Sequence, residues 1–372
     1  MSSHNKKRII VSVTSDLGSD NRVHKTCSTL TRMGFGVLLV GRELPNSLAL
    51  SSRNYATKRM KLLFRKGPLF YACFNFRLFF VLMFSKFDVL LSNDLDTLPA
   101  NFLASMLKRK PLVYDSHEFF TEVPELVHRP KVKRMWEWME KRMVPKLKHA
   151  YTVCDSIAGI YTEKYGVSFG VVRNLPVAAD LKKEAEEFHS HAEKVILYQG
   201  AVNVGRGLEQ AIRAMCFVDN ARLLIAGDGD IRPELEKLVA GLGLKNKVKF
   251  LGRLSIDELS QLTPQAHLGL SIEEDIGLNY RFALPNKLFD YIQARVPVLV
   301  TDLPEMAAIV RQYEIGEITP SLEPEKLAKI CIEMLQGGTR RKTWKKNLEK
   351  ASKELTWENE EKILEEIFNP FK

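Results

Sequence analysis

The chain has 372 residues, 45% of them hydrophobic and 27% charged, ordinary proportions for a globular protein and a length that suits two domains. Its net charge of +10 leaves nucleic acid, an anionic membrane or a phosphorylated substrate as candidate partners, and nucleic acid is set aside because no recognised motif or aromatic-studded basic strand is present. Five scattered cysteines (Cys27, Cys73, Cys154, Cys216, Cys331) form no CxxC pair, which speaks against zinc and for a reducing compartment.

Residues 1–8 are polar and basic, and the apolar run Ile9 to Val13 is shorter than a signal-peptide core, so a cytoplasmic location is expected. That run reads as a first strand, followed by a loop over 14–21, a helix from about Arg22 to Met33 stopped by Gly34, and a strand Val37 to Val40. Such a βαβ unit places its loop at the carboxyl end of strand one, where open α/β sheets hold ligands. The loop lacks GxGxxG, so a dehydrogenase is disfavoured. Gly18, Asp20 and Arg22, with His24 and Lys25, are candidates for contact with an acceptor; a solvated first turn is the alternative.

Residues 57–88 open with Lys58, Arg59, Lys61, Arg65 and Lys66 and continue as an aromatic and aliphatic run, Leu69 to Phe84, with Arg77 in its middle. The run is short of the ~20 apolar residues a span needs. Two readings stand: a helix lying on an anionic membrane, lysines toward headgroups, or a core helix of an α/β sandwich. Phe87 to Asp94 and Leu112 to Glu118 read as strands that end in polar residues. Asp94, Asp115, His117 and Glu118 therefore gather at one sheet edge, where Asp94, Asp115 and Glu118 are expected on the acceptor side. His117 is the candidate for general acid/base work or for hydrogen bonding a sugar hydroxyl; Glu122 and Glu125 are weaker candidates. A basic helix carrying Trp136 and Trp138 spans 130–147, strands follow near Tyr151 and Val171, and the charged segment 180–194 reads as a linker or exposed helix.

The second half repeats the pattern. A strand Val195 to Gly200 leads into the loop 201–207 and a helix from about Leu208. Glycines flanking Arg206 suit a diphosphate, since backbone approaches closely and a guanidinium takes two oxygens. Gly200, Asn203 and Gly205 belong to this turn, Gly227 and Gly229 to the next, and the loop after Phe250 and Leu251 offers backbone to a base edge. The stretch 271–300 reads as loop, short helix and buried strand. Leu284-Pro285-Asn286 enters the helix, with proline in its first turn. Leu288, Tyr291 and Ile292 make the core face. Asn286, Lys287 and Asp290 fall off that face, where free N–H groups suit phosphate and a carboxylate suits vicinal hydroxyls.

The order of Gly200…Gly205-Arg206-Gly207, Gly227-Asp228-Gly229, Phe250-Leu251-Gly252, Pro285-Asn286-Lys287-Leu288-Phe289-Asp290-Tyr291 and Pro297-Val298-Leu299 resembles the family 4 glycosyltransferases of the GT-B fold. The resemblance runs over nearly the whole chain and is strongest from about 195 to 310. It implies an α/β GT-B architecture: two Rossmann-like domains with parallel sheets facing an interdomain cleft. The acceptor-side domain is expected at 1–178, with a helix at about 356–372 packing back on it, and the donor domain at 179–355. It also implies a retaining transferase that needs no cofactor and no obligatory metal. Its partners would be a nucleotide diphosphate sugar, UDP-linked by preference, and a glycan or polyprenyl-linked acceptor at the inner face of the plasma membrane.

Residue by residue, the resemblance casts His117, Arg206 and Lys287 as catalytic, with His117 hydrogen-bonding the donor sugar. It assigns Gly200, Asn203, Gly205, Gly227, Gly229, Leu251, Pro285, Asn286, Leu288 and Asp290 to the donor. Ala201 stands where the family has an arginine, and Arg206 where it has a lysine. Asp290 stands where a glutamate binds ribose hydroxyls, and Phe282 where an upstream glutamate is usual. Arg281 or Lys287 is expected to replace the missing cation, and one of Glu273, Glu274 and Asp275 the missing carboxylate. Two other readings remain: a nucleotide-sugar epimerase of the same fold, and a non-catalytic nucleotide-sugar-binding subunit.

Overall fold

The computed structural model describes residues 6–18, 20–45, 47, 49–123, 126, 129–178 and 193–372. Glu125 and most of the charged segment 180–194 lie outside the described residues. The chain divides into two compact units, Met1–Asn174 with Asn359–Lys372, and Leu175–Glu358. The sequence reading places these boundaries after 178 and 355. The shift at the first has a packing cause, because Leu175 is fully buried in the core of the second unit. At the other crossing, the Trp357 N–H donates to the Pro176 carbonyl (2.7 Å).

The first unit runs β1 (Arg8–Asp16), α1 (Asn21–Arg32), β2 (Gly36–Glu43), β3 (Ala56–Lys61), α2 (Gly67–Phe84), β4 (Val89–Asn93), α3 (Asp94–Lys108), β5 (Leu112–Ser116), α4 (Pro130–Met143), β6 (His149–Thr152), α5 (Asp155–Tyr165) and β7 (Gly170–Val171). Its sheet has the order β3-β2-β1-β4-β5-β6-β7, and every pairing is parallel. β4 and β5 are buried at every position, as strands covered by helices on both faces must be. β3 is one of the elements the sequence reading lacks. Its Ala-Thr-Lys-Arg-Met-Lys buries little beyond Met60, the composition of an edge strand whose charges discourage further pairing.

The second unit runs β8 (Lys194–Gln199), α6 (Leu208–Ala214), β9 (Ala221–Ala226), α7 (Arg232–Gly241), β10 (Val248–Gly252), α8 (Ile256–Leu262), β11 (Leu268–Ser271), α9 (Leu278–Arg281), α10 (Asn286–Gln293), β12 (Val298–Thr301), α11 (Pro304–Tyr313), β13 (Gly316–Thr319), α12 (Pro324–Leu335) and α13 (Thr339–Glu354). Its sheet, β10-β9-β8-β11-β12-β13, is also wholly parallel. Ile196 and Tyr198 of β8 enter one core and Leu197 the other, so successive side chains are buried on opposite faces. The last helix, α14 (Trp357–Phe368), groups with the first unit from Asn359 onward. There Glu360 takes the Arg173 backbone N–H (2.7 Å) and Nε (2.8 Å). Each unit is thus a doubly wound α/β domain of Rossmann type.

Candidate functional site

In a doubly wound sheet, the order reverses beside the first strand, and ligands collect where the carboxyl ends diverge. Those points are β1/β4 in the first unit and β8/β11 in the second. Each carries a cluster of charged side chains.

In the first unit, His117 follows β5 directly and is held by three acceptors. Its backbone N–H donates to Asp94 Oδ1 (2.8 Å) and its Nδ1 lies 3.3 Å from Asp94 Oδ2. Its Nε2 lies 3.1 Å from Asn93 Oδ1 and 3.2 Å from Asp115 Oδ2. Burial alone would lower the imidazole pKa, but the charges of Asp94 and Asp115 outweigh it and push it up to about 9. At neutral pH the ring is an imidazolium donating from both nitrogens. It can present charge and hydrogen bonds; it has no lone pair with which to act as a general base. Asp94 opens α3 with φ of 57°, a left-handed conformation that costs a non-glycine residue roughly 1–3 kcal/mol and aims its carboxylate at His117.

Asp115 and Arg22, expected to face an acceptor, are internal. Asp115 is fully buried and Arg22 nearly so. They pair at 2.8 Å, and Arg22 also donates to the Val172 carbonyl (2.9 Å). Burial raises the Asp115 carboxyl, yet Arg22 and then His117 bring it down to about 2. Asp20 caps α1 by accepting the Val23 N–H (3.1 Å) and the Ser15 hydroxyl (2.8 Å). The Gly18 N–H turns back to Asp16 (3.1 Å). His24 meets the Tyr55 hydroxyl (2.7 Å), and Lys25 donates to Asn174 (2.9 Å). The Glu118 carbonyl accepts from Ser116 (2.8 Å), and Glu122 pairs with Lys133 (2.6 Å). Sequence reasoning missed Asn93 and Asp96. The latter is buried, pushed up to about 7 by desolvation and then Asp94, and accepts from Thr14 (2.5 Å).

In the second unit, backbone crowds at the strand ends. Gly207 has φ of 67°, and a Cβ there would meet the Ile272 carbonyl oxygen at 2.2 Å; a Cβ on Gly227 would meet the Gly200 carbonyl oxygen at 1.8 Å. Only glycine lets the loops after β8, β9 and β11 close on one another. At their meeting lies Glu273, fully buried. Its Oε1 accepts from Lys287 Nζ (2.5 Å) and stands 3.4 Å from Arg206 Nη1, while Oε2 accepts from Ser271 (2.9 Å). Burial would raise this carboxyl, but Lys287 and then Arg206 hold it below the usual range. The cations have aromatic backing. Lys287 Nζ is 4.2 Å from the Tyr198 ring centroid, and the Arg206 guanidinium carbon 5.1 Å from that of Tyr280. Tyr280 is itself fixed by its hydroxyl on the Val204 carbonyl (2.9 Å).

The structure brings only some of the residues the sequence leaves as alternatives into this cluster. Lys287 joins Arg206, whereas Arg281 pairs with Asp275 (2.6 Å) at the surface. Of the three acidic residues 273–275, Glu273 is the one held with the cations. Two expectations are corrected. Lys287 is not on an open helix face: its side chain is 6% exposed, because the carboxylate draws it inward. Leu288 is core, with its N–H on the Pro285 carbonyl (3.1 Å); Pro285 is the N-cap of α10, and the helix begins at Asn286. Asn286 is exposed and Asp290 half-buried, and Asp290 Oδ2 accepts from Gln199 (2.9 Å), a partner sequence reasoning missed. Asn203 Oδ1 takes the Asp230 N–H (3.2 Å), tying the loop at Gly205 to that of Gly229. Leu251 packs against the core, and the next carbonyl, Gly252, accepts the Gly227 N–H (2.8 Å).

Two family models match in tandem: Glycosyltransferase Family 4 over residues 18–183 and Glycosyl transferases group 1 over 180–351. An uncharacterised glycosyltransferase of Methanocaldococcus jannaschii is 30% identical over 186 residues, 48% of this chain and 45% of that protein. A Campylobacter jejuni α-1,4-N-acetyl-D-galactosaminyltransferase, named for an undecaprenol diphosphate-linked glycan acceptor, is 29% identical over 176 residues, 46% of this chain and 45% of that protein. The chain thus spans about half the length of these curated relatives. Among solved structures, Anabaena HepE in complex with UDP and glucose superposes with a TM-score of 0.75 at 15% identity, covering 98% of this chain and 100% of HepE. That likeness establishes the GT-B glycosyltransferase fold.

Proposed function

The chain belongs to the family 4 glycosyltransferases of GT-B fold, and from that premise we propose that it transfers a sugar from a nucleotide diphosphate sugar to a glycan or lipid-linked acceptor, with retention of configuration. The observation that carries the reading is the Arg206–Glu273–Lys287 cluster at the switch point of the second sheet. Two cations converge there on one carboxylate oxygen, the geometry a diphosphate oxygen would exploit. As the sugar–phosphate bond breaks, charge grows on the leaving diphosphate, and preorganised cations stabilise it without reorganisation. Asp290, oriented by Gln199, is assigned to the ribose hydroxyls. The His117 imidazolium is assigned as hydrogen-bond donor to the donor sugar, which would take the place of Asn93 at Nε2. The Campylobacter relative's acceptor supports a polyprenyl-linked acceptor here, used at the inner face of the plasma membrane, and the HepE complex supports a UDP-sugar.

The test is thermal unfolding with UDP, GDP, ADP, CDP and TDP on the wild type, Arg206→Ala and Lys287→Ala. A ligand bound only by the folded state raises apparent stability by mass action, about 2.7 kcal/mol at a hundredfold excess over Kd. One nucleotide, UDP by expectation, should stabilise the wild type and much less either variant. No shift with any of the five removes the donor-site assignment. Incubating the bound nucleotide's sugar derivatives without acceptor then separates transfer from epimerisation, since only an epimerase converts the donor alone.

A further inference from the structure

Helix α2 is long and apolar enough to cross a membrane by length and composition, yet its packing shows that it lies against the protein. Phe70, Phe74, Leu78 and Leu82 recur every fourth residue and are buried. The Asn75 amide joins it to α3, donating to the Asp96 carbonyl (2.7 Å) and accepting the Ala100 N–H (3.1 Å). At the far ends of the same two helices, Lys108 of α3 donates to the Leu82 and Ser85 carbonyls (3.1 and 2.7 Å). The helices therefore run side by side in the same direction.

The outward face is as apolar as the inward one. Phe76 is 67% exposed, Phe80 42% and Phe84 87%. Their rings follow one another along the helix, with centroids 4.9 and 6.3 Å apart. On α3, Leu103, Met106 and Leu107 are exposed too, as are Leu63, Phe64 and Leu69 ahead of and within the first turn of α2. Scattered exposed apolar residues need no explanation, but a contiguous set marks an interaction surface.

Charge identifies the occupant. Residues 44–87 contain eight Lys and Arg and no Asp or Glu, and residues 97–114 three and none. Residues 1–174 hold 28 Lys and Arg against 14 Asp and Glu, while 175–372 hold 27 against 31. Lys61, Arg65, Lys66 and Arg77 are exposed around the apolar strip. A surface that lacks carboxylates along α2 and along α3 beyond its first turn, and offers aromatic rings between cations, complements a plane of acidic headgroups over acyl chains. We propose that the α2–α3 face is a lipid-docking surface that inserts Phe76, Phe80 and Phe84 into an anionic leaflet while Arg65, Lys66 and Arg77 engage its headgroups. This deepens the membrane placement in the proposed function. Its test reads lipid binding alone, so failure of the transferase reading leaves it standing.

The full chain is floated with vesicles of equal parts phosphatidylglycerol and phosphatidylcholine, and with phosphatidylcholine alone. The wild type should bind the anionic vesicles, weakening as salt rises. Phe76→Ser/Phe80→Ser/Phe84→Ser should bind at least tenfold more weakly at an unchanged unfolding temperature. Arg65→Glu/Lys66→Glu should lose the preference for anionic lipid. Should the triple variant misfold, Phe80→Trp supplies a second readout: brominated acyl chains should quench its fluorescence beyond that of the four native tryptophans. No binding to anionic vesicles, equal binding by a folded triple variant, or no added quenching of Trp in Phe80→Trp each overturns the proposal. So does a wild-type dimer that the triple substitution disperses, which would make the face a contact between copies.

Discussion

Glu273 sits between Lys287 and Arg206 as a stand-in anion, and its charge and its shape can be separated. Glu273→Gln keeps the volume and the hydrogen bond from Ser271 but leaves the nearly buried Lys287 without its counter-charge. Breaking a buried pair in this way costs about 3–5 kcal/mol, so the unfolding temperature of the second unit should drop. The two cations, no longer neutralised, should welcome a diphosphate more. The stabilisation by UDP should therefore exceed that of the wild type at the same concentration, as read by calorimetry with and without nucleotide. A smaller UDP response than the wild type's would mean that Glu273 positions the cations and does not compete with the ligand. His117 gives a second prediction at this scale. Its imidazole rises from 6.5 in the unfolded chain to about 9 in the fold. The folded state therefore binds the extra proton, and the stability so gained is complete below pH 6.5 and is lost as pH climbs through 9. Denaturant unfolding between pH 6 and 9.5 should show that fall in the wild type, and His117→Gln should flatten it. A wild-type profile as flat as the variant's would place the ring neutral.

At the scale of elements, much of both sheets is legible because parallel strands covered on both faces read as short apolar runs. Val89 to Asn93 and Leu112 to Ser116 are of this kind. What escapes is set by tertiary context. β3 is cationic and pairs only along one edge, so no hydrophobic period announces it. The burial of Lys287 is illegible because helical spacing puts it beside Asn286 and Asp290, while the force that turns it inward comes from a carboxylate in another loop. The acidic run 273–275 does signal that a counter-charge is near; which member turns inward is decided by the Ser271 hydroxyl and by Thr301, whose hydroxyl holds the Glu273 carbonyl (2.7 Å). For α2, the core reading holds for one face, which buries Phe70, Phe74, Leu78 and Leu82; the other face is exposed, and no hydrophobic period separates the two.

For the whole molecule, the order in which the parts are made follows from where they sit in the chain. The second unit is continuous, Leu175–Glu358, but the first is closed only by residues 359–372, where Leu364 and Phe368 are fully buried and Glu360 nearly so. About 180 residues of synthesis separate Asn174 from that closing segment, which at ~5–20 residues per second is roughly 10–40 s of translation. During that interval, the first-made sheet waits with the seat of α14 empty, and by its end the later-made unit has all its residues. A ribosome-bound chain arrested just short of Asn359, with the exit tunnel cleared by a linker, should thus show a protease-resistant second unit and a readily cut first one. Extending the arrest point past Phe368 should protect both. If the first unit is equally resistant at both arrest points, the last helix is an accessory and not the element that completes it.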